Sequence, residues 1–557
     1  MRAWLANCGL QLLLAWKRLQ VSYHGGKYSI QRLLALEAYT RNTSVSRVVF
    51  VCFVTPLPMA TLVILQELIP LQDPKDGWRA NYGFWIRDFI LAFVVNLTNI
   101  GQGPYFIADL PISRLQLVIV AACTSGAFTG IAILVVARFI FPVPFFVLMF
   151  APVYYVLQII MFRIVIGARI FKQMLAHRFQ LERYMAFITI QFTLVFLYPA
   201  YEALFHVAEG TRYQLLAILL LPVIKVAVKN MVLRCTKHLE DMMPEAAIFT
   251  VDYFNAIYVA TCMQSSSSTS AIAAIVITDL SQAMLMFYGL HRHTARILPR
   301  FGRIIKELPQ YDSLLMSVST LCRDSGNIEK QLGVNIRVRS CIPHQLSPVD
   351  EKLLDKLDVS TNTTKIHVDQ QCTVNKVQEN PSWDTIPDSM HTSSWCSKRR
   401  SNVVYPAIRS SVTLAEKKSV IREALEVLFT TECLIVAAYL EAVVPLFYSA
   451  YMLAMVHIPS AQYHSEMDGI TSENVGSTVF PVFAFALLQI VSFLLLGLVV
   501  KRNCGMRALW QLAFVLESQM PLIQGKLMVW IMITLCFRLT HFGTCLIGNR
   551  NKILVLC

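Results

Sequence analysis

Charge is what this sequence has least of. Only 15% of its 557 residues are Asp, Glu, Lys or Arg, against about 25% in soluble domains. So few ionic groups cannot dress a water-exposed surface of this size. Cysteine is present but unorganised. The 14 cysteines stand singly, from Cys8, Cys52 and Cys123 through Cys235 and Cys262 to Cys557. There is no C-x-x-C and no spaced Cys/His cluster, so neither a zinc site nor a disulfide framework is expected. Cys557 is terminal, which leaves no C-a-a-X prenylation box. The chain also lacks a nucleophile elbow, an H-E-x-x-H helix, a P-loop and a kinase signature. No catalytic residue, cofactor or enzyme activity is therefore expected. Nor is a nucleic-acid partner, although 49 Lys and Arg against 35 Asp and Glu give a net charge of +14. No RNA- or DNA-binding module accompanies that charge.

What is present is long apolar sequence. Residues are 55% hydrophobic, mean hydropathy is +0.52, and runs near twenty residues recur. Backbone inside a bilayer must satisfy itself, so only helices or a closed barrel can cross. Continuous rather than alternating runs select helices. The expectation is an all-α polytopic membrane bundle. Spans 1 to 4 are placed at Val48–Pro70, Phe89–Phe106, Leu115–Phe139 and Val143–Gly167. Spans 5 to 8 follow at Tyr184–Val207, Gln214–Leu233, Ala246–Met263 and Ser270–Leu290. Spans 9 to 12 are Val427–Val456, Ser477–Val500, Leu509–Ile523 and Leu527–Ile547. That makes about twelve, with ten or eleven if 508–524 lies in the interface. Residues 1–47 read as a cytoplasmic amphipathic segment, 48–290 as a first membrane bundle and 427–557 as a second. Between the bundles, 291–426 reads as a long, basic-flanked, partly disordered cytoplasmic loop.

Lys and Arg concentrate in 167–183, 234–245, 291–426 and 501–507, on one side of this list. The positive-inside rule makes that side cytoplasmic, in either the plasma membrane or an endomembrane. The basic flanks suit anionic lipid headgroups, and the long loop suits cytoplasmic proteins. Lys398-Arg399-Arg400-Ser401 offers a phosphorylation site there, and Thr413 with Glu416 a capping box opening the helix into span 9.

Charged residues inside spans are costly and mark either a solute path or structural ion pairs. The set is Lys225, Asp252, Asp279, Glu441 and Glu517, with Asn255 sharing a helix face with Asp252. Lys225, Asp279 and Glu441 fall near mid-depth, so Lys225 is the nearest partner for Glu441. Together they would line a path for an unknown small solute or ion. Glu432 is half a helical rotation from Glu441, so the two share no face; lying near the inner end of the span, it reads as interfacial. A parallel 4+4 repeat of spans 5–8 and 9–12 is suggested by Tyr198-Pro-Ala-Tyr201 against Tyr448-Ser-Ala-Tyr451; spans 1–4 would make a third set of four, without a convincing residue match. Ile248-Phe249-Thr-Val-Asp252 against Ala513-Phe514-Val-Leu-Glu517 adds to the 4+4 match, making Asp252 and Glu517 equivalent. These tyrosines read as interfacial anchors. His457, His464, Glu466 and Asp468 share one outer loop; their types suit a metal, but their spacing matches no motif and a solvated loop is expected.

Three stretches carry a resemblance: Tyr28–Arg87 (YSIQRLLALEAYTRNTSVSRVVF…GFWIR), Tyr405–Thr471 (YPAIRSSVTLAEKKSVIREALEVLFTTE…MDGIT) and Leu509–Gly543 (LWQLAFVLESQM…HFG). In these the chain resembles an uncharacterised, lineage-expanded family of multi-pass membrane proteins from oomycetes. The resemblance implies a polytopic membrane fold over most of the chain outside the long loop, and carries over no catalytic residue. After His541-Phe542-Gly543 the sequence departs from that pattern, which puts the end of span 12 in doubt.

Overall fold

The computed structural model describes residues 26–107, 110–208, 210–211, 213–266, 268–305, 313–323, 336–358 and 414–542. The Lys398–Ser401 site, the capping box at Thr413 and the amphipathic stretch 1–20 lie outside the described residues. The helices are α1 (Ile30–Asn42), α2 (Val45–Val54), α3 (Leu57–Glu67), α4 (Tyr82–Phe106), α5 (Arg114–Val136) and α6 (Phe146–Ile166). They continue as α7 (Ala168–Ala176), α8 (Arg178–Ala208), α9 (Gln214–Thr236), α10 (Met243–Ala247) and α11 (Tyr253–Ser265), the last two joined by a π-helical turn over Ile248–Asp252. Then come α12 (Thr269–Ile305), α13 (Leu314–Arg323), α14 (348–358), α15 (Leu414–Met455), α16 (Val475–Cys504), α17 (Ala508–Ser518) and α18 (Met520–Cys536).

Ten helices among the described residues are long and apolar enough to cross a membrane. This is a multi-pass helical membrane protein. The two short spans expected at the C-terminal end form instead one pair, α17 and α18, bent by 82°. Its start lies by α1 and α2, where the Trp510 indole donates to the Thr43 carbonyl (3.0 Å). Its finish lies at the other end of the bundle, where the Ser465 amide donates to the Arg538 carbonyl (2.9 Å). Counted as one broken crossing it brings the total to eleven. On that count the last set supplies three crossings rather than four.

The most buried span is among the least apolar. The most apolar stretch of Glu240–Ser265, with mean hydropathy 1.3, is 100% buried, whereas that of Val475–Cys504, at 2.6, is 28% buried. Lipid is as apolar as leucine, so the most apolar helices lose nothing by facing it. The polar ones, here carrying Asp252, Asn255 and Thr261, must find protein partners inside. Ser419–Met455 of α15 is the second central helix, 83% buried. Helices α8, α9, α12 and α16 pack around these two.

The region expected as a long loop, 291–426, is not wholly detached from the bundle. Amides of Ile30 and Gln31 donate to the carbonyls of Arg337 and Val338 (both 3.0 Å). Arg323 bridges Glu37 of α1 (2.6 Å) and Asp350 of α14 (2.9 Å). Burial alone would raise the Asp350 carboxyl, but hydrogen bonds from Arg323 and Ser347 hold it below its ordinary value.

Candidate functional site at mid-bilayer

Three helix irregularities converge at the centre. Pro222 sits in α9 and Pro445 in α15. A proline has no N–H, so the carbonyls of Ile218 and Glu441 lose their ladder partners. The third irregularity is the π turn ending at Asp252. Such turns are uncommon and frequent at functional sites. The Phe249 carbonyl inside it accepts a hydrogen bond from the Trp530 indole (2.8 Å).

Lys225 and Lys229 are one turn apart on α9 and project to the same side. Lys229 Nζ donates to both Asp252 oxygens (3.1 and 3.0 Å). Lys225 Nζ stands 3.3 Å from Asp252 and donates to Glu441 Oε1 at 2.9 Å. The four form a chain, Lys229–Asp252–Lys225–Glu441. Asp279 of α12 accepts from the Gln489 amide of α16 and lies within electrostatic reach of Lys225 and Glu441. Asn255 is buried a turn beyond Asp252. Asp252 is sealed, while the Lys225 and Glu441 side chains each keep 11% exposure, so the chain has an enclosed end and an accessible one.

Of the sequence-expected set, Lys225, Asp252 and Glu441 therefore meet, with Asp279 close by. Glu517 does not. It lies at the end of α17, 27% exposed, paired with Arg47 and accepting from the Tyr39 hydroxyl at 2.8 Å. Its equivalence with Asp252 fails with it. Glu432 is a second correction. It is fully buried, not interfacial, and Arg32 of α1 grips it through two nitrogens at 2.8 and 3.3 Å. The Tyr28 hydroxyl also donates to it. Tyr198, Tyr201, Tyr448 and Tyr451 are likewise buried rather than interfacial.

The outer loop also departs from a solvated one. His464 contacts buried Glu67 (3.1 Å), which Arg87 also engages (2.8 Å). Glu466 pairs with Arg538, which in turn lies 3.8 Å from Glu202. Among the described residues no three His, Cys, Asp or Glu side chains gather as metal ligands. Sequence reasoning passed over Lys229, Arg87 and Arg538. A signal existed for the last two: both arginines stand at the end opposite the basic loops, where a cation calls for a specific partner.

No family model matches the chain, and neither a curated protein nor a solved structure matches it.

Proposed function

We propose that this protein is a transporter or channel for a small solute or ion, with the Lys229–Asp252–Lys225–Glu441 chain and Asp279 as its charged centre. One observation carries the reading. Three carboxylates meet two ammonium groups, so full ionisation leaves one negative charge uncompensated. Inside a bilayer that charge must be met by a proton or a monovalent cation. Binding and releasing it is what a coupled carrier needs. The helix breaks at Pro222, Pro445 and the π turn supply backbone able to bend around it. The basic end, bearing 291–426, faces the cytoplasm in this reading, with its flanks against anionic headgroups.

The test is flux in vesicles reconstituted with purified protein. A pH-sensitive dye reports proton entry under an imposed potassium diffusion potential. Wild type should acidify the lumen, and Asp279→Asn and Glu441→Gln should abolish the signal at equal expression. Unchanged flux in both variants overturns the proposal. A second reading, a receptor-like scaffold acting through 291–426, is favoured by the docking of 336–358 on α1. It requires that deleting residues 310–400 remove the protein's biological effect while any flux persists.

A further inference from the structure

Away from the charged centre, α4, α5, α6, α8 and α18 enclose a cavity of about 100 Å3. Its walls are apolar, among them Leu91, Phe128, Phe146, Phe192 and Trp530. A second cavity of about 150 Å3 adjoins it, with Asn99, Tyr155 and Ile188 as shared walls. Together they follow α4 from Asp88 to Gly103, roughly 22 Å at about 1.5 Å per residue. The first cavity's wall is half-exposed at Ala151, Tyr155 and Phe192, between α6 and α8. Phe146–Ile166 is only 22% buried, so this side faces lipid. A ligand entering here comes from the bilayer.

The one charged side chain lining this cavity, among the described residues, is a carboxylate. Asp88 is 1% exposed. Its hydrogen bond comes from the Thr129 hydroxyl (2.9 Å), and among the described residues no Lys, Arg or His pairs with it. The neighbouring Arg87 is committed to Glu67 and to the carbonyls of Glu67 and Ile69. The Tyr154 hydroxyl, on a residue 8% exposed, has no partner, and neither does Gln191 Oε1. The Gln191 amide is spent on Gln102 (3.1 Å). A buried carboxylate and an unpaired amide oxygen, with no cation among the lining side chains, repel phosphate or carboxylate headgroups. They lack the positive charge and N–H donors that an ammonium brings.

We propose that this cavity binds a single-chain amphiphile with an ammonium headgroup, taken up from the bilayer. Asp88 pairs with the nitrogen, and the alkyl chain lies along the paired apolar cavities. The site is separate from the charged centre and does not depend on the transport reading.

Trp530 in the wall provides the readout. Purified protein in detergent is titrated with brominated dodecylamine, whose bromine quenches tryptophan, and in parallel with brominated dodecanol and brominated dodecanoic acid. The amine should quench saturably, at a midpoint about tenfold below that of the alcohol, the equivalent of about 1.4 kcal/mol. Trp530→Phe should remove the saturable part. Asp88→Asn, which keeps an acceptor for Thr129, should raise the amine midpoint to that of the alcohol. Ala151→Phe, which fills the cavity and leaves Asp88 in place, should abolish saturable quenching by all three. Equal midpoints for amine and alcohol on wild type, or an unshifted Asp88→Asn, would overturn the proposal. The wild-type comparison decides alone if a variant does not purify as a monodisperse protein.

Discussion

Removing the Arg32 guanidinium should destabilise the protein at neutral pH and nearly spare it at pH 5. Arg32 and Glu432 are both 0% exposed, joined at 2.8 Å, and the guanidinium also lies over the Phe514 and Tyr28 rings. Breaking a buried pair by deleting one partner costs about 3–5 kcal/mol. For Arg32→Met the stranded carboxylate has an escape, because it can take up a proton. With an unperturbed Glu value of about 4.3, protonation costs about 1.36 kcal/mol per pH unit, or about 3.7 kcal/mol at pH 7 and about 1 kcal/mol at pH 5. That ceiling bounds the electrostatic loss. Glu432→Gln has no such escape, since arginine does not deprotonate in proteins. Its penalty should be similar at both pH values, eased only by Asp241, whose charge Arg32 also feels.

The assay is the apparent Tm of detergent-purified protein, read as loss of the monodisperse size-exclusion peak after heating. Arg32→Met should lose several degrees at pH 7 and little at pH 5, each against wild type at the same pH. Arg32→Met combined with Glu432→Leu should recover most of the loss, since apolar replacement of a whole buried pair is often neutral or better. An Arg32→Met deficit independent of pH, or a double variant no better than the singles, refutes this account.

Acidification should weaken the protein through buried neutral histidines. Burial pushes His541 down to about 4, aided by the charge of Arg87, and burial with Arg32 does the same to His344. Their stabilising neutrality is complete above the ordinary value of about 6.5 and is lost as pH falls towards 4. His344→Gln and His541→Gln should flatten the Tm profile across that window; an unchanged profile in both would count against it. Gly83→Ala drives a Cβ onto the Pro70 carbonyl, and should cost at least about 1–3 kcal/mol, seen as reduced folded yield. Arg323→Met removes one of the two guanidinium groups on Glu37, which is 1% exposed, and the bridge from there to Asp350. It should loosen the 336–358 segment, read as faster proteolysis there with the membrane bundle intact.

Depth was legible in the sequence, and direction around each helix was not. Apolar runs fix where each helix enters and leaves the bilayer. Lys225 and Glu441 were therefore matched by counting residues from the span ends, and they form an ion pair. Glu432 failed for an instructive reason. Half a rotation from Glu441 means exposure only when a helix has a lipid face. In Ser419–Met455, 83% of the most apolar stretch is buried, so opposite faces are both interior. Enclosure shows weakly in sequence, as lower apolarity than in the rim helices. Mean hydropathy is 1.9 here and 1.3 for Glu240–Ser265, against 2.6 for Val475–Cys504. Two rim helices depart from this, Phe146–Ile166 at 1.9 and 22% buried and Thr269–Ala295 at 1.7 and 11% buried; the second carries a charge. It sits on the rim despite Asp279, which reaches Gln489 on the neighbouring rim helix.

The same logic accounts for where the helices break. A proline or π turn leaves backbone groups unsatisfied, which lipid cannot meet. Such breaks are most easily met inside the bundle, beside groups that offer hydrogen bonds, although Pro152 of α6 stands on an exposed face. Pro222 lies three residues before Lys225, Pro445 four residues after Glu441, and the π turn ends at Asp252. Breaks and charges therefore need the same interior, and each makes the other affordable. From sequence alone, a proline within a turn of an intramembrane charge is a stronger marker of the interior than either residue by itself. Span 10 bears out the contrast: Pro481 is within a few residues of the far end of α16, where water can meet the freed carbonyl, and no charged residue accompanies it.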